Sequence, residues 1–254
     1  MSTQTGDRII VALDNMEPHK ARETVEKIGS KVSGFKANDL MDSPSTLEMV
    51  VNGKLKIDFA DAKFHDTPGT VKNRVIRLLQ CFGDHNERFP KFLTVHASGG
   101  IPMMTAALEA ADEVTRGNTQ ILGITVLTSI GEEECQLTFG CSIKAAVLKF
   151  SRWACGAGLE AIVCSGMELK FLAGFADLKG LDKVTPAIRP KWFLELRGQS
   201  VDRVMTPGDA IKAGATQLVM GSPITQFEGG PEEAIERTLE EIEAALREPA
   251  ATAA

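Results

Sequence analysis

Residues 56–70 read Lys56-Ile57-Asp58-Phe59-Ala60-Asp61-Ala62-Lys63-Phe64-His65-Asp66-Thr67-Pro68-Gly69-Thr70. The first nine have the length and apolar content of a buried strand, and Pro68 opens a segment of helical period that runs to about residue 81. The strand closes on charges. Asp61 and Lys63 stand two apart, so on a strand they share one face, and Asp66 follows in the loop. Unpaired charges are costly to bury, so charges that close an apolar strand mark a place to look for chemistry.

The same alternation extends outward in both directions. Strand-length runs occupy 8–14, 33–38, 56–64, 91–97, 120–128, 161–165, 183–188 and 217–221. Helical segments fall at 17–28, 44–52, 68–81, 102–114, 145–156, 168–175, 207–213 and 231–246. Their starts carry Ser43-Pro44, Thr206-Pro207 and Gly230-Pro231, the last before an acidic first turn. Eight βα units in 254 residues match the size and rhythm of an α/β (β/α)8 TIM barrel. A doubly wound open sheet also alternates strand and helix, and is the alternative architecture. No Pro/Gly/Ser-rich linker divides the chain, so residues 1–254 are expected to form one domain, with a short flexible tail at 248–254.

Composition narrows the function classes. Hydrophobic residues at 43% and charged residues at 24% are globular values. Lys and Arg number 28 against 34 Asp and Glu, a net charge of −6, which argues against a nucleic-acid partner. The apolar runs are far shorter than a membrane span, and residues 1–8 are too polar for a signal peptide. The five cysteines, Cys81, Cys135, Cys141, Cys155 and Cys164, include no C-x-x-C pair. A cytoplasmic location follows as the expectation.

In a barrel, chemistry sits at the C-terminal ends of the strands. Strand one ends on Asp14, strand two carries Lys36, and strand three carries Asp61 and Lys63. Alternating ammonium and carboxylate groups would hold one another charged, with negative charge set beside an ammonium able to donate a proton. An ordinary ion-pair plug is the plainer reading. Convergence of four such charges from three strand ends favours a functional site.

The stretch from Asp61 to Thr70 resembles the D-x-K-x-x-D-x-P-x-T signature of the orotidine 5′-monophosphate decarboxylase family, in its bacterial branch. Other blocks agree in order: Leu13-Asp14, Phe35-Lys36, Val95-His96-Ala97-Ser98-Gly99-Gly100, Thr125-Val126-Leu127-Thr128-Ser129, Val163-Cys164-Ser165, the run from Val184 to Pro190, and the run from Arg203 to Pro207. The similarity covers residues 8–246.

The resemblance implies decarboxylation of orotidine 5′-monophosphate to uridine 5′-monophosphate, the last step of pyrimidine nucleotide synthesis, with neither metal nor organic cofactor. It makes Lys63 the proton donor to C6, places Asp61 against the departing carboxylate, and completes the charge network with Lys36 and Asp66. It assigns Asp14 and Lys36 to the ribose hydroxyls, and Thr128 and Ser129 to the pyrimidine ring. Arg189, Gly221 and the lid residue Gln199 fall to the phosphate. Asp66 and Thr70 match residues that reach a partner's site, which implies a homodimer. The long segment 185–202 after strand seven has the length of a flexible lid.

The chain departs from the family pattern at strand eight. Where the family ends Gly-Arg, with the arginine gripping the phosphate, this chain has Gly221-Ser222. Arg189, Arg197 or a helix N-terminus after strand eight are the candidate substitutes. Softer departures fall at Ala60, Ala62, Thr67 and Gly69. His96 reads as a structural histidine and Cys164 as core. Two other functions compete: a Mg2+-dependent sugar-phosphate decarboxylase of the same superfamily, which Lys36 and the Thr67-Pro68-Gly69-Thr70 run disfavour, and a catalytically silent nucleotide-binding barrel, which Ser222 favours.

Overall fold

The computed structural model describes residues 6–83, 88–193 and 205–247. These residues form a closed barrel of eight parallel strands in chain order. The strands are β1 (Ile9–Ala12), β2 (Gly34–Ala37), β3 (Phe59–Phe64), β4 (Phe92–His96), β5 (Gln120–Ile124), β6 (Ala161–Val163), β7 (Asp182–Thr185) and β8 (Gln217–Met220). β1 closes the ring on β8, with Ile9 opposite Leu218 and Val11 opposite Met220. The open-sheet alternative is thereby excluded.

Each expected strand is present, and all but β3 end earlier than the apolar run does. The expected 120–128 stops at Ile124, and 183–188 stops at Thr185. The residues beyond continue as loop, and those loops build the mouth of the barrel.

The described helices are α1 (Pro18–Ile28), α2 (Pro44–Val51), α3 (Pro68–Gly83), α4 (Ile101–Thr115), α5 (Glu132–Phe139), α6 (Ile143–Gly156), α7 (Leu169–Ala173), α8 (Pro207–Lys212), α9 (Ser222–Thr225) and α10 (Gly230–Arg247). Each long helix lays an apolar stripe on the strands: Val71, Val75 and Leu79 on α3, and Ala234, Ile235 and Ile242 on α10. Thr206 caps α8, its hydroxyl accepting from the Asp209 N–H at 3.2 Å. Ser43 makes no such bond to α2 and instead meets Ser45, Oγ to Oγ, at 2.8 Å.

Two differences from the periodicity reading have clear causes. Helix α5 buries only Cys135, so it has no apolar stripe to detect. It is held by its acidic first turn, in which Glu134 accepts from the Gly131 N–H and Glu132 from the Ile143 N–H. The expected helix at 168–175 is broken into α7 and flanking 3-10 turns at Gly166–Glu168 and Ala176–Leu178.

Strand alternation sorts the core into two layers. Ile9, Val11 and Leu13 face the helices, whereas Ile10 and Ala12 face the barrel interior with Phe59, Leu122, Ala161, Val184 and Val219. The same count sends Phe35 and Ala37 outward and Lys36 inward, and Leu93 and Val95 outward with Thr94 and His96 inward. Phe59 and Phe92 meet edge to face at 5.7 Å inside the barrel. One residue pair further along the same strands, apolar side chains give way to Asp61 and Thr94.

Candidate active site

Asp61 is the hub of this layer. Its Oδ2 accepts from the Lys36 ammonium at 3.0 Å and from the Lys63 ammonium, and Lys36 also donates to Asp14 Oδ2. The four charges therefore run Asp14, Lys36, Asp61, Lys63 along β1, β2 and β3. The other Asp61 oxygen, Oδ1, accepts from the Thr94 hydroxyl at 2.8 Å. Asp14 Oδ1 accepts from the Asn38 N–H at 3.0 Å, and the Asn38 amide donates to the Asp61 carbonyl at 2.7 Å.

Burial disfavours both charges at the centre, and their partners outweigh it. For Lys36 desolvation acts to lower the pKa, yet Asp61 and Asp14 hold it above the ordinary lysine value. For Asp61 desolvation acts to raise it, and Lys36 and Lys63 hold the carboxyl below the ordinary aspartate value. Both groups are charged at neutral pH. The Lys63 side chain is 33% exposed against 10% for Asp61, so its ammonium can meet an incoming molecule.

These side chains form part of the lining of a cavity of about 320 Å³. Part of its wall is apolar, formed by Ile124, Val126, Leu127, Val163 and Cys164. Across the ring from β3, the loops after β7 and β8 contribute Arg189, Gly221, Ser222, Thr225 and Gln226. Arg189 is placed by its own backbone: Ala187 takes the left-handed conformation at φ 62°, Ile188 bridges to Met205, and the Arg189 N–H donates to the Met205 carbonyl at 2.9 Å. The side chain is 9% exposed, and its Nε has no hydrogen-bond partner among the described residues. Desolvation pulls its pKa below the ordinary arginine range. A guanidinium held in this way at a cavity wall is a ready partner for an anion.

The expected residues divide clearly. Asp14, Lys36, Asp61, Lys63, Thr128, Arg189, Gly221 and Ser222 line the one cavity. Ser129 is not part of its lining. Asp66 and Thr70 lie in a run of six exposed residues, 65–70, outside it. Asp66 accepts from the Thr67 N–H at 2.6 Å, and the Thr67 and Thr70 hydroxyls meet at 3.1 Å. Gln199, Arg197 and the second half of the expected lid, 194–202, lie outside the described residues, as does the tail at 248–254.

Thr94 and Asn38 are hard to single out in the linear sequence, because their partners are neighbours across strands rather than along the chain. Strand parity is the one available clue to Thr94. His96 stacks obliquely on His65 at 5.5 Å, and burial, followed by His65 and Lys63, lowers its pKa against the opposing effect of Asp61. Among the described residues, no three His, Cys, Asp or Glu side chains are grouped to hold a metal ion.

A closed (β/α)8 barrel with amines and carboxylates converging on a half-apolar cavity at the strand ends has the layout of a barrel enzyme. Residues 7–238 match the model of the Orotidine 5'-phosphate decarboxylase / HUMPS family, and the chain belongs to that family. It is 33% identical to an orotidine 5'-phosphate decarboxylase of Syntrophotalea carbinolica, over 98% of this chain and 100% of that one. A second relative of the same name, from Syntrophomonas wolfei, is 34% identical over 94% and 99%. Among solved structures, an orotidine 5'-phosphate decarboxylase from Lactobacillus acidophilus superposes with a TM-score of 0.67 at 28% identity, covering 92% of this chain and 98% of that one.

Proposed function

We propose that the protein removes carbon dioxide from orotidine 5′-monophosphate to give uridine 5′-monophosphate, in the cytoplasm and as a homodimer. The observation that carries this reading is the Asp61 carboxylate held between two ammonium groups at the wall of a cavity that also presents Arg189. The relatives named orotidine 5'-phosphate decarboxylase, within a family that also includes HUMPS, support this substrate.

The array accounts for the chemistry. The bond from C6 to the carboxylate carbon breaks, its electron pair stays on C6, and the carboxylate leaves as neutral carbon dioxide. Asp61 lies beside the departing negative charge, and that repulsion vanishes as the charge moves to C6. Lys63 faces the developing charge with a positive one and then gives C6 its proton. The interaction with Lys63 is therefore stronger in the transition state than in the bound substrate, which is the condition for acceleration. Lys36 and Asp14 hold the ribose hydroxyls, and Thr128 with the apolar wall holds the ring. Arg189 and the backbone at Gly221 take the phosphate.

The exposed run 65–70 supports the dimer, because Asp66 and Thr70 lie on the surface, where a second copy can be reached. The five cysteines form no disulfide, in keeping with a reducing compartment.

The reaction is tested by the ultraviolet absorbance change of orotidine 5′-monophosphate with purified protein and no added metal. Wild type should consume the substrate, and Lys63→Ala should lose at least about 10²-fold in kcat, the lower end of what a positioned proton donor contributes. Failure of the folded wild type to turn over saturating substrate overturns the reading.

A further inference from the structure

Between β3 and β4 the ladder is interrupted. Ala60 pairs with Leu93 and Phe64 with Val95, so Asp61, Ala62 and Lys63 stand opposite the single residue Thr94. This bulge re-aims the strand at the residues that carry the chemistry. Lys63 adopts φ 48°, a left-handed conformation that is strained for a residue with a side chain. Something must hold it there. The Thr94 hydroxyl does so from one side, accepting from the Lys63 N–H at 3.0 Å while donating to Asp61 Oδ1 at 2.8 Å. Thr94 is fully buried, so no water can replace it cheaply. On the other side β2 ends at Ala37, and the Asn38 side-chain amide takes the next rung by donating to the Asp61 carbonyl at 2.7 Å.

We infer that Thr94 and Asn38 are positioning residues for the decarboxylation, clamping the bulged segment from the two flanking strands so that Asp61 and Lys63 face the cavity in register. Thr94 is the more consequential of the two, because one oxygen serves both the strained backbone and the carboxylate. Thr94 is not part of the cavity lining, so its removal acts through Asp61 and Lys63. This inference rests on the decarboxylase reading.

The test is steady-state kinetics with orotidine 5′-monophosphate on wild type, Thr94→Val, Thr94→Ser and Asn38→Ala. Thr94→Val keeps the side-chain shape and removes both bonds. It should lower kcat about 100-fold, the cost of a misplacement of order 1 Å, with KM changed less than about threefold. Thr94→Ser restores the hydroxyl and should recover kcat to within a few-fold of wild type. Asn38→Ala, at a partly exposed position, should lower kcat by a smaller factor with the same split, and it decides the matter if Thr94→Val does not fold. An unchanged kcat, a loss confined to KM, or a loss that serine does not recover overturns the inference. Absence of turnover by wild type overturns the decarboxylase reading instead, and is seen before any variant is made.

Discussion

Lys36 on β2 donates to Asp61 on β3 at 3.0 Å, and the two side chains are only 7% and 10% exposed. An ion pair so closed off is expensive to assemble and more expensive to break from one side, since the surviving charge stays buried without its partner. Lys36→Met should therefore cost about 3 kcal/mol or more of stability. It leaves Asp14 without its ammonium and Asp61 with Lys63 as its one remaining cation among the described residues. Urea unfolding of wild type and variant measures this directly, and an equal midpoint would show that water already screens the pair.

Much of this arrangement is legible in the chain, and the remainder has a physical reason for being hidden. Alternation along each strand tells inward from outward residues, so the sequence pattern alone brings Asp14, Lys36, Asp61 and Lys63 to one place. What alternation cannot show is a bulge, because the extra residues at 61–63 are set by pairing with β4 rather than by their own types. Thr94 and Asn38 are hidden for the same reason. Each looks like an ordinary polar residue until its partner on the next strand is known. Helix α5 lacks an apolar stripe, and α9 is a single turn, so neither leaves a periodic trace. Asp66 and Thr70 follow the motif in sequence yet are exposed and are not part of this cavity's lining.

Stability should fall toward acid in two stages. The folded protein holds His96 below the ordinary histidine value of 6.5, so as pH drops through that value the unfolded chain takes up a proton that the folded one refuses. Stability declines across the window between the ordinary value and the lowered one, and the decline ends once both states are protonated. Asp61 behaves with the same sign at lower pH, because its carboxylate contributes stability above the ordinary value of 3.8 that is lost as pH falls through its lowered folded value. Lys36 has the opposite sign: its contribution is complete below 10.5 and disappears as pH rises through its raised folded value. Denaturation midpoints measured from acid to alkaline pH, with His96→Gln alongside, check the first stage. The variant should lose the slope nearest neutrality and keep the more acidic one, and a slope that survives in His96→Gln must belong to another group.

The cavity wall after β8 carries Ser222 where the family resemblance places a phosphate-gripping arginine. Ser222 is the first residue of α9 and lines the same cavity as Arg189, so a longer cationic side chain there starts within the site. A hydrogen bond to a charged group contributes about 1.5–3 kcal/mol, and about 1.4 kcal/mol is a factor of ten. Ser222→Arg should accordingly raise kcat/KM for orotidine 5′-monophosphate by about tenfold or more, and tighten inhibition by uridine 5′-monophosphate in proportion. Arg189→Ala should move both constants the other way by a comparable factor, because it removes a buried guanidinium whose Nε has no competing partner among the described residues. Binding energy gathered at the phosphate is available to the chemical step, so the gain should fall on kcat as well as KM if the remote contact is used to orient the ring. Should Ser222→Arg leave kcat/KM unchanged while Arg189→Ala depresses it, Arg189 with its neighbours Thr225 and Gln226 already saturates the anion, and the serine is a completed substitution rather than a loss.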